Sequence, residues 1–225
     1  MVQERPGRQE RDQIARRWAT SNRELALVDP VLSRWVAVYE EEDGHREEEL
    51  DTPAALAEIL SIGAGEAKPG LGFGFSAWNG RRGEDEASFL GQAGQSEQAA
   101  GLVNNVRVET RPGSPEAIRR WTAAAPAALL ALVRAGEPDY AMVWTHPVRQ
   151  PQQVRAGHPF AGYVTYLSAP RARLLPDLPQ ASPTEDGGVL LSLLNPADEW
   201  PAPEAAVEFG RRLAGAGVLF PATGS

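Results

Sequence analysis

An enzyme or a metal site in this chain would have to be built on histidines and carboxylates, because the 225 residues include no cysteine. The three histidines are His45, His146 and His158. His45 sits in the run EEDGHREEE (41–49), where carboxylate oxygens and an imidazole could together hold a cation. The run has no regular ligand spacing, so a solvated acidic segment is the simpler reading, and no metal is expected. His146 and His158 flank a proline-rich stretch, THPVRQPQQVRAGHP (145–159), and could act as acid and base if the fold joined them. No carboxylate is placed in sequence to orient either one. Neither G-x-S-x-G, H-E-x-x-H, a P-loop nor a full dinucleotide fingerprint occurs. The nearest glycine pattern, GLGFG (70–74), lies within an apolar strand pattern rather than between a strand and a helix. Its glycines suit close packing better than phosphate binding. The residues thus supply no catalytic constellation and call for no cofactor.

Charge is the sharper signal. The chain carries 30 acidic residues against 22 basic ones, a net charge of −8. Glu40–Asp51 holds eight of those acids (Glu40, Glu41, Glu42, Asp43, Glu47, Glu48, Glu49 and Asp51) and one base, Arg46, a net −7. The rest of the chain therefore sums to −1. Such a block repels nucleic acid and anionic membrane and attracts a basic partner, or else it simply aids solubility as a loop or helix face. The N-terminal arginines (Arg5, Arg8, Arg11, Arg16, Arg17, Arg23) alternate with acids, which fits local ion pairs rather than a phosphate-tracking stripe. The first residues are charged without an apolar run, and Ala123–Val133, the longest apolar stretch, is too short to span a bilayer. A cytoplasmic protein without membrane or nucleic-acid partners is expected.

These residues need a scaffold, and the pattern outlines one. Ile14, Trp18, Leu25 and Val28 fall on one stripe of a helix from Gln9 to about Leu27. Asp29-Pro30 and Thr52-Pro53 each combine a cap with a first-turn proline, opening helices over Pro30–Trp35 and to about Leu60. GFGFSAWNG (72–80) alternates Phe73, Phe75 and Ala77 as a strand that ends in an Asn79-Gly80 turn. Ser88–Gln92 and Val103–Thr110 follow as strands. Ser114 opens a helical region that Pro126 interrupts and Gly136 ends. Tyr140–Trp144, Gly162–Ser168 and Gly188–Leu194 read as strands, and Pro203 to about Ala214 as the last helix. Val218–Phe220 docks as a terminal extended piece. The order implies an α+β fold, a mostly antiparallel or mixed sheet packed against helices, in one domain over residues 1–225 with 1–8 disordered. Most of the six tryptophans should anchor the core.

Several segments, in order, resemble the immunity protein 52 family of bacterial polymorphic toxin systems. They are RPGRQE and ARRW near the start, LVDPVLSRW (27–35), the T-PAALAEIL helix, GLGFGFSAWNG (70–80), EPDYAMV (137–143), GYVTYLS (162–168), the Gly188–Leu194 strand and a closing helix ending in GVL. Two departures stand out. Members begin with an apolar, Tyr/Trp-bearing strand that this chain lacks before Gln9, which leaves an N-terminal strand unsupported here. A shorter basic or mixed turn is usual where the acidic block stands. The resemblance implies a non-enzymatic protein that binds and neutralises a cognate toxin in a stoichiometric complex. Such toxins often resemble restriction-endonuclease-fold nucleases and pass between competing bacteria through secretion systems such as type VI. On that reading the acidic block contacts a basic toxin, and Trp35, Trp78, Asn79, Gly80, Tyr163 and Tyr166 are scaffold. A small hydrolase or modifying enzyme using His146 and His158, or an adaptor that loads an effector, are the alternatives.

Overall fold

The computed structural model describes residues 2–3, 11–41, 44–64, 73–93, 105–152, 159–175, 181–195 and 200–219. A first helix, α1 (Arg11–Val28), buries Ile14, Ala15, Trp18, Asn22 and Leu25 along the stripe that its periodicity predicts. A single 3-10 turn follows at Pro30–Leu32, shorter than the helix expected to Trp35, and Asp29 caps it by accepting from the Val31 amide. The strands β2 (Val36–Glu41) and β3 (Gly44–Glu49) come next, then α2 (Pro53–Ala64). Thr52 Oγ1 accepts from the Ala55 amide, the cap read from Thr52-Pro53. After α2 come β4 (Phe73–Trp78), β5 (Ala87–Ala93) and β6 (Asn105–Thr110). The long helix α3 (Pro115–Gly136) runs straight through Pro126, where a break is expected from sequence. A missing interior hydrogen bond and the ring clash cost about 3 kcal/mol. Buried Leu129, Leu132 and Val133 beyond the proline keep the helix on the core and outweigh that cost. The left-handed residue that closes α3 is Glu137 (φ 46°), not Gly136. Pro138 keeps its predecessor out of the right-handed helical region, which moves the stop by one residue.

The remaining elements are β7 (Tyr140–Val143), a short α4 (His146–Arg149), β8 (Val164–Leu167), α5 (Ala169–Ala172), β9 (Ala181–Pro183), β10 (Val189–Ser192) and α6 (Pro203–Gly215). Val218 and Leu219 are buried, but in a turn after α6 rather than an extended piece. Phe220 lies outside the described residues.

One strand was not anticipated. Val2–Gln3 form β1, which pairs antiparallel with β6 on one side and β7 on the other. The sequence reading leaves residues 1–8 disordered and no N-terminal strand in place. Two residues are too few to show an alternating pattern, and their partners are more than a hundred residues away, so no local signal marks them. Through β1 an antiparallel five-stranded run and an antiparallel four-stranded run join in the order β3-β2-β4-β5-β6-β1-β7-β8-β10-β9. The fold is α+β, as the element order implied.

Helices cover the sheet unequally. Trp18 of α1, Leu56 and Leu60 of α2 and Leu129 and Leu132 of α3 join Trp35, Phe75, Phe89 and Ala141 in the main core. Tyr140, Met142, Leu167 and Leu191 point the other way, into a second core closed by Phe209 and Leu213 of α6. Alternation along β7 thus sends Ala141 to one face and its neighbours to the other. Gly162 sets the entry to β8, since a Cβ there would lie 2.0 Å from the Val143 carbonyl oxygen.

Candidate functional site

The acidic block folds as a β-hairpin, neither the loop nor the helix face considered for it. Glutamates are poor strand formers, so propensity hides this outcome. Cross-strand partners run from Val36 and Glu49 through Val38 and Glu47 to Glu41 and Gly44. β3 is the outermost strand of the sheet. Among the described residues β2 pairs with β4 only at Val36 and Ala37, so Val38–Glu41 and their β3 partners form an arm of the hairpin with no ladder to β4. Period two divides the arm's described side chains between two faces. Half-buried Arg46 and Glu48 lie 3.0 Å apart, and Arg46 also reaches Glu58 of α2 at 3.3 Å. Glu47 and Glu49 share the exposed face with Val38. Arg34 pairs with Glu49 at 3.3 Å, while Glu47 and Asp51 have no ion-pair partner among the described residues. The side chains of Glu40, Glu41, Glu42, Asp43 and His45 fall outside the described ones. Charge on an edge strand also disfavours unwanted strand pairing.

The WNG and DPVLSRW segments meet inside the protein. Asn79 is buried, and its side chain makes four hydrogen bonds. Nδ2 donates to the Val31 and Asp85 carbonyls (3.1 and 2.7 Å), and Oδ1 accepts from the Arg81 and Ala87 amides (3.2 and 3.1 Å). It therefore shapes the whole Asn79–Glu86 connection between β4 and β5. Gly80, at φ +72°, supplies the left-handed step that glycine adopts at least cost. Arg120 of α3 spans the same region, with Asp85 at 2.7 Å and Asp29 at 3.4 Å. Trp35 is buried against Phe89, with ring centroids 5.3 Å apart, whereas Trp78 is half-buried.

EPDYAMV and GYVTYLS are clipped together in the same way. Asp139 accepts from Ser168 Oγ (3.0 Å) and Arg171 Nε (2.7 Å), and buried Arg171 also donates to the Val218 carbonyl (2.6 Å). Burial drives the Tyr140 phenol pKa upward, partly opposed by Arg171 beside its ring. Tyr163 is buried, stacks near Trp200 at 4.8 Å, and its hydroxyl lies 3.4 Å from Thr145 Oγ1. Tyr166 donates to Asp186, which also accepts from Thr184 Oγ1 (2.6 Å) and the Gly188 amide (3.1 Å). Burial by itself would raise the Asp186 pKa, but these hydrogen bonds outweigh it and hold the carboxyl below its ordinary value.

His146 is exposed at the start of α4, and His158 lies outside the described residues. Among the described residues no group of three or more His, Asp or Glu could hold a metal, and no helix is long and apolar enough to cross a membrane.

Sequence reasoning missed a cavity of about 410 Å³ where β6 and β7 part beside α3, lined in part by Arg107, Arg111, Trp121, Trp144, His146 and Trp200. Three of the six tryptophans converge there from separate elements, a coincidence that sequence spacing does not register.

The sequence model for immunity protein 52 matches residues 6–221, nearly the whole chain. No curated protein matches the chain. The chain belongs to the immunity protein 52 family.

Proposed function

We propose that this member of the immunity protein 52 family binds a cognate bacterial toxin and neutralises it by forming a stoichiometric complex, without catalysis. The observation that carries the reading is the family match over residues 6–221, and the charge of the hairpin arm gives it a physical form. A net −7 carried largely by the edge hairpin raises the encounter rate with a basic surface and disfavours acidic competitors. The toxin is a nuclease of restriction-endonuclease-like fold. Its phosphate-binding surface is basic by necessity, and Glu40–Asp51 takes the place of the nucleic-acid charge. Glu47 and Asp51, which have no ion-pair partner among the described residues, meet that surface at the lowest desolvation cost. The complex forms in the cytoplasm, where a nuclease delivered by a competitor must be stopped. The motif residues Trp35, Trp78, Asn79, Gly80, Tyr163 and Tyr166 maintain the scaffold rather than touch the toxin.

The neighbouring open reading frame provides the first test, and a toxin gene is expected there. Its product should arrest growth when expressed alone and lose that effect when this chain is co-expressed. The purified pair should elute together at a fixed stoichiometry. Protection that persists without a complex, or protection by catalytic amounts of this chain, would overturn the reading.

A further inference from the structure

The two ends of the sheet are finished differently. β9, the last strand at one end, has three residues and closes on Pro183, whose nitrogen carries no hydrogen. Short length and proline are ordinary ways to blunt an exposed edge. β3, the last strand at the other end, has six residues and no proline. Among the described residues its one strand neighbour is β2. On its half-buried face Arg46 ties it to Glu58 of α2 at 3.3 Å, so the strand is held in place before any partner arrives.

Register decides which main-chain groups of β3 face outward. The Leu50 amide donates to the Trp35 carbonyl at 2.8 Å, one step beyond the Val36–Glu49 pair. Antiparallel pairs alternate between those that exchange hydrogen bonds and those that do not. Ala37 with Glu48 and Tyr39 with Arg46 therefore exchange bonds, whereas Val36 with Glu49 and Val38 with Glu47 do not. The amides and carbonyls of Glu47 and Glu49 point away from β2, toward the open edge. None of these groups has a backbone partner there among the described residues. Both side chains lie on the exposed face, together with Val38, a large apolar residue that is 47% exposed.

We infer that the β3 edge makes the central contact of the complex: one extended, lysine- or arginine-bearing segment of the toxin adds to β3 as a further antiparallel strand. The inference rests on the toxin-binding reading above and specifies how the contact is made. Main-chain pairing with Glu47 and Glu49 provides affinity in such strand addition, and side chains provide selectivity. Glutamate on this edge selects as well as protects. Basic residues opposite Glu47 and Glu49 form favourable cross-strand pairs, whereas a second copy of β3 would set acid against acid. A neutral strand gains no such pair. The long apolar stems of lysine or arginine can lie across β3 toward Val38 while their charged ends stay beside the carboxylates. A diffuse electrostatic contact would use the same charges but would leave the backbone groups of the edge in water.

The test uses the full chain, isotope-labelled, alone and in complex with the product of the neighbouring toxin gene. Hydrogen exchange at the Glu47 and Glu49 amides should slow by about 10-fold or more in the complex. The Arg46 and Glu48 amides, already bonded to β2, should change less. Two variants separate backbone from charge. Glu47→Gln removes one charge and should weaken binding by about 2- to 5-fold. Glu47→Pro removes the same charge and also the outward N–H, and should weaken binding by about a further 10-fold or more. Proline is tolerated on an edge strand where its nitrogen faces solvent, so the melting temperature should stay near that of Glu47→Gln. If Glu47→Pro unfolds, the exchange map decides alone. A toxin that forms no complex would remove the toxin-binding reading and this inference with it. A complex that protects cells but leaves exchange at Glu47 and Glu49 unchanged, or that binds Glu47→Pro as tightly as Glu47→Gln, would overturn the added strand alone.

Discussion

Replacing Asn79 by alanine separates a scaffold role from a binding role for the WNG segment. The side chain satisfies four backbone groups, and two of them, the Val31 carbonyl and the Ala87 amide, are in a buried environment. Truncation leaves those two without partners at about 1–3 kcal/mol each. The Asp85 carbonyl and Arg81 amide are partly accessible, so water can replace the lost bonds at about 0.5–1.5 kcal/mol each. Because a water can also enter the small space left behind, the total should fall near the low end, about 3–5 kcal/mol. For a chain of this size that lowers the melting temperature by roughly 10–15 °C. Asn79→Asp provides a second reading. It keeps the acceptor positions but sets a carboxylate oxygen against the Val31 and Asp85 carbonyls, so it should destabilise at least as much at neutral pH. Thermal unfolding followed by far-UV circular dichroism measures both variants. A melting point for Asn79→Ala within about 2 °C of wild type would refute the argument, because that loss corresponds to 1 kcal/mol or less. The hydrogen-bonded geometry around Asn79 would then serve something other than stability.

Three further outcomes are expected. Reversing Glu41, Glu42, Glu47 and Glu48 to lysine should slow association with the toxin by roughly 10-fold or more at low salt, with little change in melting temperature. Stopped-flow mixing at two ionic strengths checks this, since the wild-type advantage should shrink as salt screens it; equal rates would leave the arm as a solubility feature. Gly162→Ala places a methyl 2.0 Å from the Val143 carbonyl oxygen, a backbone atom that cannot swing aside. A loss of several kcal/mol and a poor yield of folded protein are expected, and a normal melt would mean that β7 and β8 can separate without cost. The depressed Asp186 pKa stabilises the fold above the ordinary carboxylate range, and that contribution fades as pH falls through the folded-state value. The melting-temperature gap between wild type and Asp186→Asn should therefore be flat above about pH 5 and narrow below about pH 4; a constant gap throughout would contradict the hydrogen-bonded carboxylate.

Local chemistry made most elements legible. The Ile14–Trp18–Leu25 stripe, the Asp29-Pro30 and Thr52-Pro53 caps and the alternation in GFGFSAWNG each depend on neighbours a few residues away, so spacing alone locates α1, α2 and β4. The ordered segments of the family resemblance, which no physical pattern explains, pointed to the immunity protein 52 family. Long-range pairing decided the rest. Val2–Gln3 became a central strand because β6 and β7 present edges for it. Buried apolar contacts carried α3 through Pro126 against its local preference. The glutamate-rich run became a strand because register with β2 aligned it, although its residues favour other states. Asn79, Arg120 and Asp139 read in sequence as isolated polar residues, and only the folded chain shows the buried carbonyls, amides and charges that each one satisfies. Side-chain pattern is a local quantity, whereas strand edges, cavities and polar satisfaction belong to pairs of segments far apart in the chain.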